Sequence, residues 1–336
     1  MPKSKSKTEN NILVTGGAGF IGSHACKLLA RAGYNPVIVD NLSRGFRSAA
    51  KWGVFEQGDI CDLAWLGGIM LKYKPLAVLH FAGLIDVAES FLYPEIYHRN
   101  NVEGTLCLLD AMRSAGVNKL VFSSSCAVHG HVSQSPISED FSCQPINPYG
   151  ESKLECEKLI ADAVHKFGLN AFILRYFNAA GNDPDCEIGE MHEPETHLIP
   201  LAVRAAITGG ELNIFGNDYP TPDGTAIRDY IHVCDLADAH IAALQHLLAK
   251  PAFMTLNLGS GSGVSVRQII DKVEQISEKI IAVNYLPRRQ GDSPILVSDT
   301  KQSLQYLGFE AKYSDIDNII RNVLAWQRSN NSLQPL

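Results

Sequence analysis

Tyr149 and Lys153 stand four residues apart in Pro148-Tyr149-Gly150-Glu151-Ser152-Lys153. On a helix that spacing stacks the two side chains on one face. An ammonium beside a phenol favours the phenolate, which turns a group that ordinarily titrates near 10 into a usable base. Bringing a phenol down by about 3 to 4 units takes roughly 4 to 5.5 kcal/mol. One cation at about 4–5 Å supplies about 3 to 4 kcal/mol at an effective dielectric of 20, so a second positive charge has to help. Roughly one chain in two of this composition holds such a pair by chance, and a solvated lysine on a surface helix is the ordinary alternative. The elements around the pair must decide.

The N-terminal stretch supplies the first of them. Asn11-Ile12-Leu13-Val14-Thr15 is a short apolar, β-rich run, and it leads directly into Gly16-Gly17-Ala18-Gly19-Phe20-Ile21-Gly22. A helix is predicted over Ser23 to Arg31, followed by a second strand, Pro36 to Asp40, that closes on an acid. Strand, glycine fingerprint, helix, strand and acid about 20 residues on form the full context of a dinucleotide site. Gly16, Gly19 and Gly22 let backbone N–H groups approach a pyrophosphate at a helix N-terminus. Asp40 suits the hydroxyls of an adenosine ribose and repels a 2′-phosphate, which favours NAD over NADP.

The alternation continues. Val54 to Glu56 is a third strand, and Asp62 is placed to cap a helix starting at Leu63. Ala77 to Gly83 is a fourth strand, and one long helix is predicted from about Pro94 to Ser114. Leu120 to Phe122 runs into Ser123-Ser124-Ser125, the helix of Tyr149 extends to about Phe167, and Ala171 to Leu174 is a sixth strand. Six strands alternating with helices predict an α/β fold built on a doubly wound parallel sheet of Rossmann type. Ligands of such sheets lie at the carboxyl ends of the strands, where Phe81-Ala82-Gly83 and the serine run fall. A net charge of −7 argues against a nucleic-acid partner, and no apolar run reaches membrane-spanning length. Eight cysteines without C-x-x-C or Cys/His spacing point to reduced thiols in the cytoplasm and to no metal centre.

Taken together, the glycine fingerprint, Phe81-Ala82-Gly83, Ser125 and Tyr149-x-x-x-Lys153 resemble the extended short-chain dehydrogenases, NAD-dependent enzymes of nucleotide sugars. The resemblance implies Ser125, Tyr149 and Lys153 as catalytic residues. It implies NAD contacts from Gly16, Gly19, Phe20, Ile21, Gly22, Asp40, Asn41, Asp59, Ile60, Phe81, Ala82, Gly83, Ile85, Asn100, Ser123, Tyr149, Lys153 and Phe177. Where an enzyme of this group takes a hydride from C4 of the sugar and returns it to the opposite face, NAD is regenerated in each cycle, and the cofactor is expected to stay tightly bound.

In the second half the alternation breaks down. Residues 183–200 are rich in Pro, Gly and acids and read as a structured loop over a site, and Gly259 to Gly263 reads as a flexible strand-to-helix connection. Arg175-Tyr176-Phe177-Asn178, Phe215 through Val233, and Arg288-Arg289-Gln290-Gly291-Asp292 sharpen the resemblance to the UDP-glucose 4-epimerase branch over about residues 11–330. That branch implies a UDP-sugar held by Ser125, Tyr149, Asn178, His197, Leu198, Asn213, Ile214, Phe215, Arg228, Arg289, Asp292 and Leu296. Two guanidiniums suit a diphosphate. The expected division is a tail over 1–10, an NAD domain over 11–177, and a smaller interleaved substrate domain over 178–336, with about 228–260 returning to the first sheet. A homodimer through the helices near 94–114 and 149–167 is implied by resemblance alone.

Dehydratases of this scaffold carry an Asp-Glu pair where this chain has Cys126 and Ala127, so dehydration is disfavoured. His129 replaces a common tyrosine and reads as a packed histidine, while His197 and Leu296 bear on substrate fit. UDP-glucose/galactose, UDP-N-acetylhexosamine and UDP-xylose/arabinose stay open as substrates. The main expectation is a cytoplasmic UDP-hexose 4-epimerase; a decarboxylase and a net oxidoreductase are the rivals, and a non-catalytic NAD-binding protein is disfavoured because Ser125, Tyr149 and Lys153 are all present.

Overall fold

The computed structural model describes residues 10–132, 134–289 and 292–329; apart from Asn10, the expected tail lies outside them. The chain divides into two compact units. The first holds the chain through Gly130 together with Ser142–Arg175 and Ala237–Leu256; the second holds His131–Phe141, Tyr176–Leu236 and the chain from Asn257 onward.

The first unit is built on a seven-stranded sheet. Its strands are β1 (Asn11–Thr15), β2 (Asn35–Asp40), β3 (Val54–Gln57), β4 (Ala77–His80), β5 (Lys119–Ser125) and β6 (Asn170–Tyr176), joined at one edge by Phe253–Leu258. Their order is 253–258, β6, β5, β4, β1, β2, β3, with β1 running parallel to both β2 and β4. All five residues of β1 are buried, which is why it reads as an unbroken apolar run rather than an alternating one. The surrounding helices are α1 (Phe20–Arg31), α2 (Leu63–Tyr73), α3 (Val87–Leu92), α4 (Pro94–Tyr97), α5 (Gly104–Ala115) and α6 (Pro148–Phe167). Asp62 caps α2 as its position predicts, accepting from the Trp65 N–H at 2.9 Å. Asn147 caps α6, Pro148 occupies its first position, and Gly168 ends it in the left-handed region.

One element departs from expectation. Instead of a single helix over 94–114, Pro94 opens a short turn of α-helix, His98–Glu103 winds as a π-helix, and α5 begins only at Gly104. A π turn closes a wider ring than an α turn and re-aims the side chains it carries. Here the re-aimed residue is Asn101, which is 2% exposed and whose carboxamide bridges the Leu84 N–H (2.8 Å), the Leu84 carbonyl (3.1 Å) and the Ser152 hydroxyl (2.9 Å). Those partners lie 17 and 51 residues away, so no local pattern announces the irregularity.

In the second unit, Ile227–His232 is the centre of a sheet flanked by Gly263–Ser265 and Ile295–Leu296 and also paired to Asn178–Ala180, while Glu211–Phe215 pairs in parallel with Ala282–Leu286. The helices Leu198–Thr208, Val266–Ser277 and Ile316–Ser329 share one core, formed by Val203, Ile214, Ile269, Val273, Ile320 and Val323 among others. Ser265 caps its helix in a complete capping box with Gln268. The Gly259–Gly263 connection, read from sequence as flexible, is pinned instead. The buried Asp229 carboxylate accepts from Ser260 N (2.8 Å), Ser260 Oγ (2.7 Å), Gly261 N (3.1 Å), Ser298 N (3.1 Å) and Ser298 Oγ (2.7 Å). The acid that satisfies these donors arrives from 31 residues earlier in the chain. Among the described residues, no helix is long and apolar enough to cross a membrane.

Candidate active site

β5 delivers Ser125 at its end, and α6 places Tyr149 and Lys153 one turn apart on its buried face. The Ser125 hydroxyl accepts from the Ala127 N–H at 3.2 Å and lies beside the Tyr149 phenol. The Tyr149 ring packs with Leu84, Tyr97 and Ala127, and Tyr97 is tied down by its hydroxyl donating to Glu89 at 2.9 Å. Lys153 is 3% exposed; its Nζ donates to the Ser123 carbonyl at 2.9 Å and lies 6.0 Å from the Tyr149 ring centroid. Burial lifts the phenol to about 12, with the nearby Ser125 hydroxyl acting in the opposite direction, and burial also lowers the lysine. The helix therefore stacks the pair as its spacing requires, but in a medium that disfavours both charges. Only added positive charge makes the phenol a base at neutral pH.

Behind this cluster lie residues that the sequence reading missed. Glu157, one turn beyond Lys153, receives Arg175 from β6 in a two-pronged pair (2.9 and 2.6 Å) and also the Ser124 hydroxyl at 2.5 Å. That one carboxylate fixes α6 to β5 and β6. His80, at the end of β4, is bonded to Thr15 (2.6 Å) and Thr105 (3.1 Å), and burial lowers it to about 3. Thr105 in turn donates to the Asn101 carbonyl at 2.6 Å. The polar character of Glu157 and Arg175 in otherwise buried element faces was the only sequence signal available for them.

Facing these groups, the fingerprint turn forms a cradle. Gly16 has φ +69°, and a Cβ there would lie 2.5 Å from the Ala82 nitrogen; one on Gly22 would lie 2.2 Å from the Gly16 carbonyl oxygen. Side chains are thus excluded where the turn meets both β4 and α1. Gly19 precedes α1 without any side-chain cap, and no acid stands in the first turn, which suits the start of α1 to an anion. Asp40 is buried and accepts from Ala18 N (3.0 Å) and Leu42 N (2.9 Å), which holds the acid beside the glycine turn. Asp59 is steadied by Cys61 N and Asn41. This cradle fits a dinucleotide, with the pyrophosphate on α1 and a ribose at Asp40. Of the other expected contacts, Phe81 stacks on His240 at 4.6 Å, Gly83 lies near Lys153 and Asn101, Ile85 is half exposed, and Ile60 is in the core. Asn100, from the π turn, lines a cavity of about 330 Å³ with Asn41, Ser43 and Arg44. Phe177 is buried in the second unit.

The second unit brings together several of the residues expected to hold a substrate. Arg228 is clamped by the carbonyls of Ile227 (2.9 Å) and Ser293 (2.8 Å), lies 3.5 Å from Asp292, and stands opposite Leu296 in the paired strands. Arg289 stacks on Phe215 at 4.1 Å, and its carbonyl accepts from Asp292 N at 3.3 Å. Ile214 has its side chain in the core, leaving only its backbone to meet a ligand, whereas Asn213 and Asn178 are exposed. Leu198 opens the helix Leu198–Thr208 and packs against the core, and His197 precedes it, hydrogen-bonded to Glu190. His129 is buried in the short turn after Ser125.

A profile of the NAD dependent epimerase/dehydratase family matches residues 12–259. The chain is 48% identical to a UDP-glucose 4-epimerase of Rhizobium meliloti, over 96% of this chain and 98% of that one. Its fold matches a Brucella ovis UDP-glucose 4-epimerase solved in complex with NAD, at a TM-score of 0.92 and 50% identity, covering 94% of this chain and 98% of the other. A third match is a Stenotrophomonas maltophila UDP-glucose 4-epimerase with bound NAD and formylated UDP-arabinopyranose: TM-score 0.92, 40% identity, 97% of this chain and 100% of that one.

Proposed function

Since the chain belongs to the NAD dependent epimerase/dehydratase family, we propose that it is an isomerase that interconverts UDP-glucose and UDP-galactose by inverting C4 of the sugar. The observation that carries this reading is Tyr149 and Lys153 one turn apart on the buried face of α6, with Ser125 at the end of β5 and a glycine cradle fitted to a dinucleotide. NAD, held tightly at that cradle by Gly16, Gly19, Gly22 and Asp40, supplies hydride acceptance and return. The chain's own residues handle the proton. Tyr149 Oη takes the proton of the 4-hydroxyl, Ser125 shares that hydrogen bond and relays it, and Lys153 holds the nicotinamide ribose while adding positive charge near the phenol. The 4-keto sugar then presents its other face, and the same phenol gives the proton back.

Arg228 and Arg289 hold the diphosphate, with Asn178, His197, Leu198, Asn213, Ile214, Phe215 and Asp292 around the nucleotide and Leu296 against the sugar. The side chains at 126 and 127, Cys and Ala, offer no carboxyl acid–base pair, which supports epimerisation over dehydration. The chain works in the cytoplasm, in keeping with its cysteine usage. It dimerises through the apolar face of α3–α5, where Phe91 (55%), Leu92 (71%), Ile96 (49%) and Leu106 (46%) are exposed.

Incubating the purified protein with a panel of UDP-sugars, with no cofactor added, tests the reading. UDP-galactose is expected to convert to UDP-glucose without net NADH, and Tyr149→Phe to lower the rate by about 10²–10⁴. No inversion at C4, NADH accumulating with product, or an unimpaired variant would each overturn it.

A further inference from the structure

Glu190, His192, Glu195 and His197 follow one another as Glu-x-His-x-x-Glu-x-His ahead of the helix Leu198–Thr208. One donor atom from each, an imidazole nitrogen or a carboxylate oxygen, lies within 4.8 Å of all the others. Both imidazoles turn Nδ1 toward the same oxygen: His192 Nδ1 is 3.2 Å from Glu190 Oε1, and His197 Nδ1 is hydrogen-bonded to it. Glu195 Oε1 is 3.9 Å from His192 Nδ1. The two rings meet edge to face at 5.0 Å. Donors about 2.0–2.2 Å from a tetrahedral zinc ion are separated by about 3.3–3.6 Å, so this set lies within small side-chain adjustments of a coordination sphere.

A second observation points the same way. The Glu190 side chain is 2% exposed, and its Oε2 is buried with no hydrogen-bond partner. A carboxylate oxygen left so is costly unless a cation meets it. The residue is built in place rather than loosely packed: its N–H donates to Asn182 Oδ1 at 2.6 Å and its carbonyl accepts from Trp326 Nε1 at 3.3 Å.

We propose that Glu190, His192, Glu195 and His197 bind one divalent transition-metal ion of the zinc class as a structural centre tying the 190–197 loop to the start of the following helix. Two carboxylates balance its charge, and four protein donors leave no open position, the pattern of a structural rather than a catalytic site. With no cysteine in the set, the motif escapes a search for cysteine-based zinc spacing. The proton is the competing cation, since the same carboxylates raise both histidines, His192 to about 10. The proposal is independent of the epimerase reading, because its readout is metal rather than turnover.

The untagged protein, stripped with a chelator, is titrated with Co²⁺ and then Zn²⁺ at about pH 8 and again near pH 9, where the metal displaces the His192 proton more readily. One equivalent of Co²⁺ is expected to give the intense visible bands of a four-coordinate site, to be displaced by Zn²⁺, and to raise the thermal midpoint. His192→Ala and Glu195→Gln, verified as folded by circular dichroism, are expected to weaken binding by more than the roughly 10–100-fold that loss of an outer-shell partner costs. Absence of saturable binding at one equivalent, a six-coordinate spectrum, or undiminished binding in both variants overturns the proposal. Should either variant fail to fold, the stoichiometry and spectrum of the unaltered protein decide.

Discussion

Tyr149 sits at about 12 because its phenol is out of water, and the nearby Ser125 hydroxyl recovers only part of the cost of ionising it there. Lys153, with its Nζ 6.0 Å from the ring centroid, is itself held down by burial and committed to the Ser123 carbonyl. A phenol at about 12 carries its proton at neutral pH, so the base becomes active only when further positive charge enters the site. In cofactor-stripped protein, the phenolate absorbance difference between the unaltered chain and Tyr149→Phe is expected to stay flat through neutral pH and rise only toward about 12; titration near 7 would contradict this. His80 gives a prediction of the opposite kind. Its folded value of about 3 lies below the unfolded value near 6.5, so on acidification the unfolded chain takes up a proton that the folded chain refuses. Stability contributed by the neutral imidazole is therefore complete above about 6.5 and is lost as pH falls toward 3. For this fully buried ring the loss between about pH 6.5 and 4.5 is about 2 kcal/mol. Urea unfolding at both pH values is expected to show a shallower acid loss in His80→Asn than in the unaltered chain.

At the scale of elements, one ion pair holds the catalytic helix in place. Glu157 on α6 takes Arg175 from β6 and Ser124 from β5, all buried, so the pair is judged by what breaking it leaves behind. Glu157→Gln strands the Arg175 charge and is expected to cost about 3–5 kcal/mol in denaturant unfolding. Adding Arg175→Met, which removes that charge, is expected to recover much of the loss; a double variant costing as much as the two single changes combined would rule out an unpaired charge as the cause. The π turn His98–Glu103 acts at the same scale. It delivers Asn101 to the Leu84 backbone and to Ser152, coupling the loop after β4 to α6.

For the whole molecule, the large apolar side chains exposed on α3–α5, Phe91, Leu92, Ile96 and Leu106, are the basis of the proposed dimer. Sedimentation is expected to show a dimer for the unaltered chain and a monomer for Phe91→Glu combined with Leu92→Glu; an unchanged mass would move the interface elsewhere. What the amino-acid sequence determined by itself is whatever depends on neighbours within a turn or a strand. β1 with its glycine turn and α1, Asp62 at the head of α2, the span of α6 and the Tyr149–Lys153 stack follow from periodicity, capping and the steric demands of glycine. What only the tertiary structure decided depends on partners far along the chain. Asn101 breaks the predicted single helix to reach Leu84 and Ser152. Asp229 fixes a glycine loop that looked flexible, and Glu157 finds Arg175 in another strand. Glu190, itself buried, becomes the hub of a half-buried His/Glu cluster. Above all, spacing put an ammonium near the phenol, but burial set the phenol's pKa, because desolvation is a property of everything packed around a group and not of its neighbours in sequence.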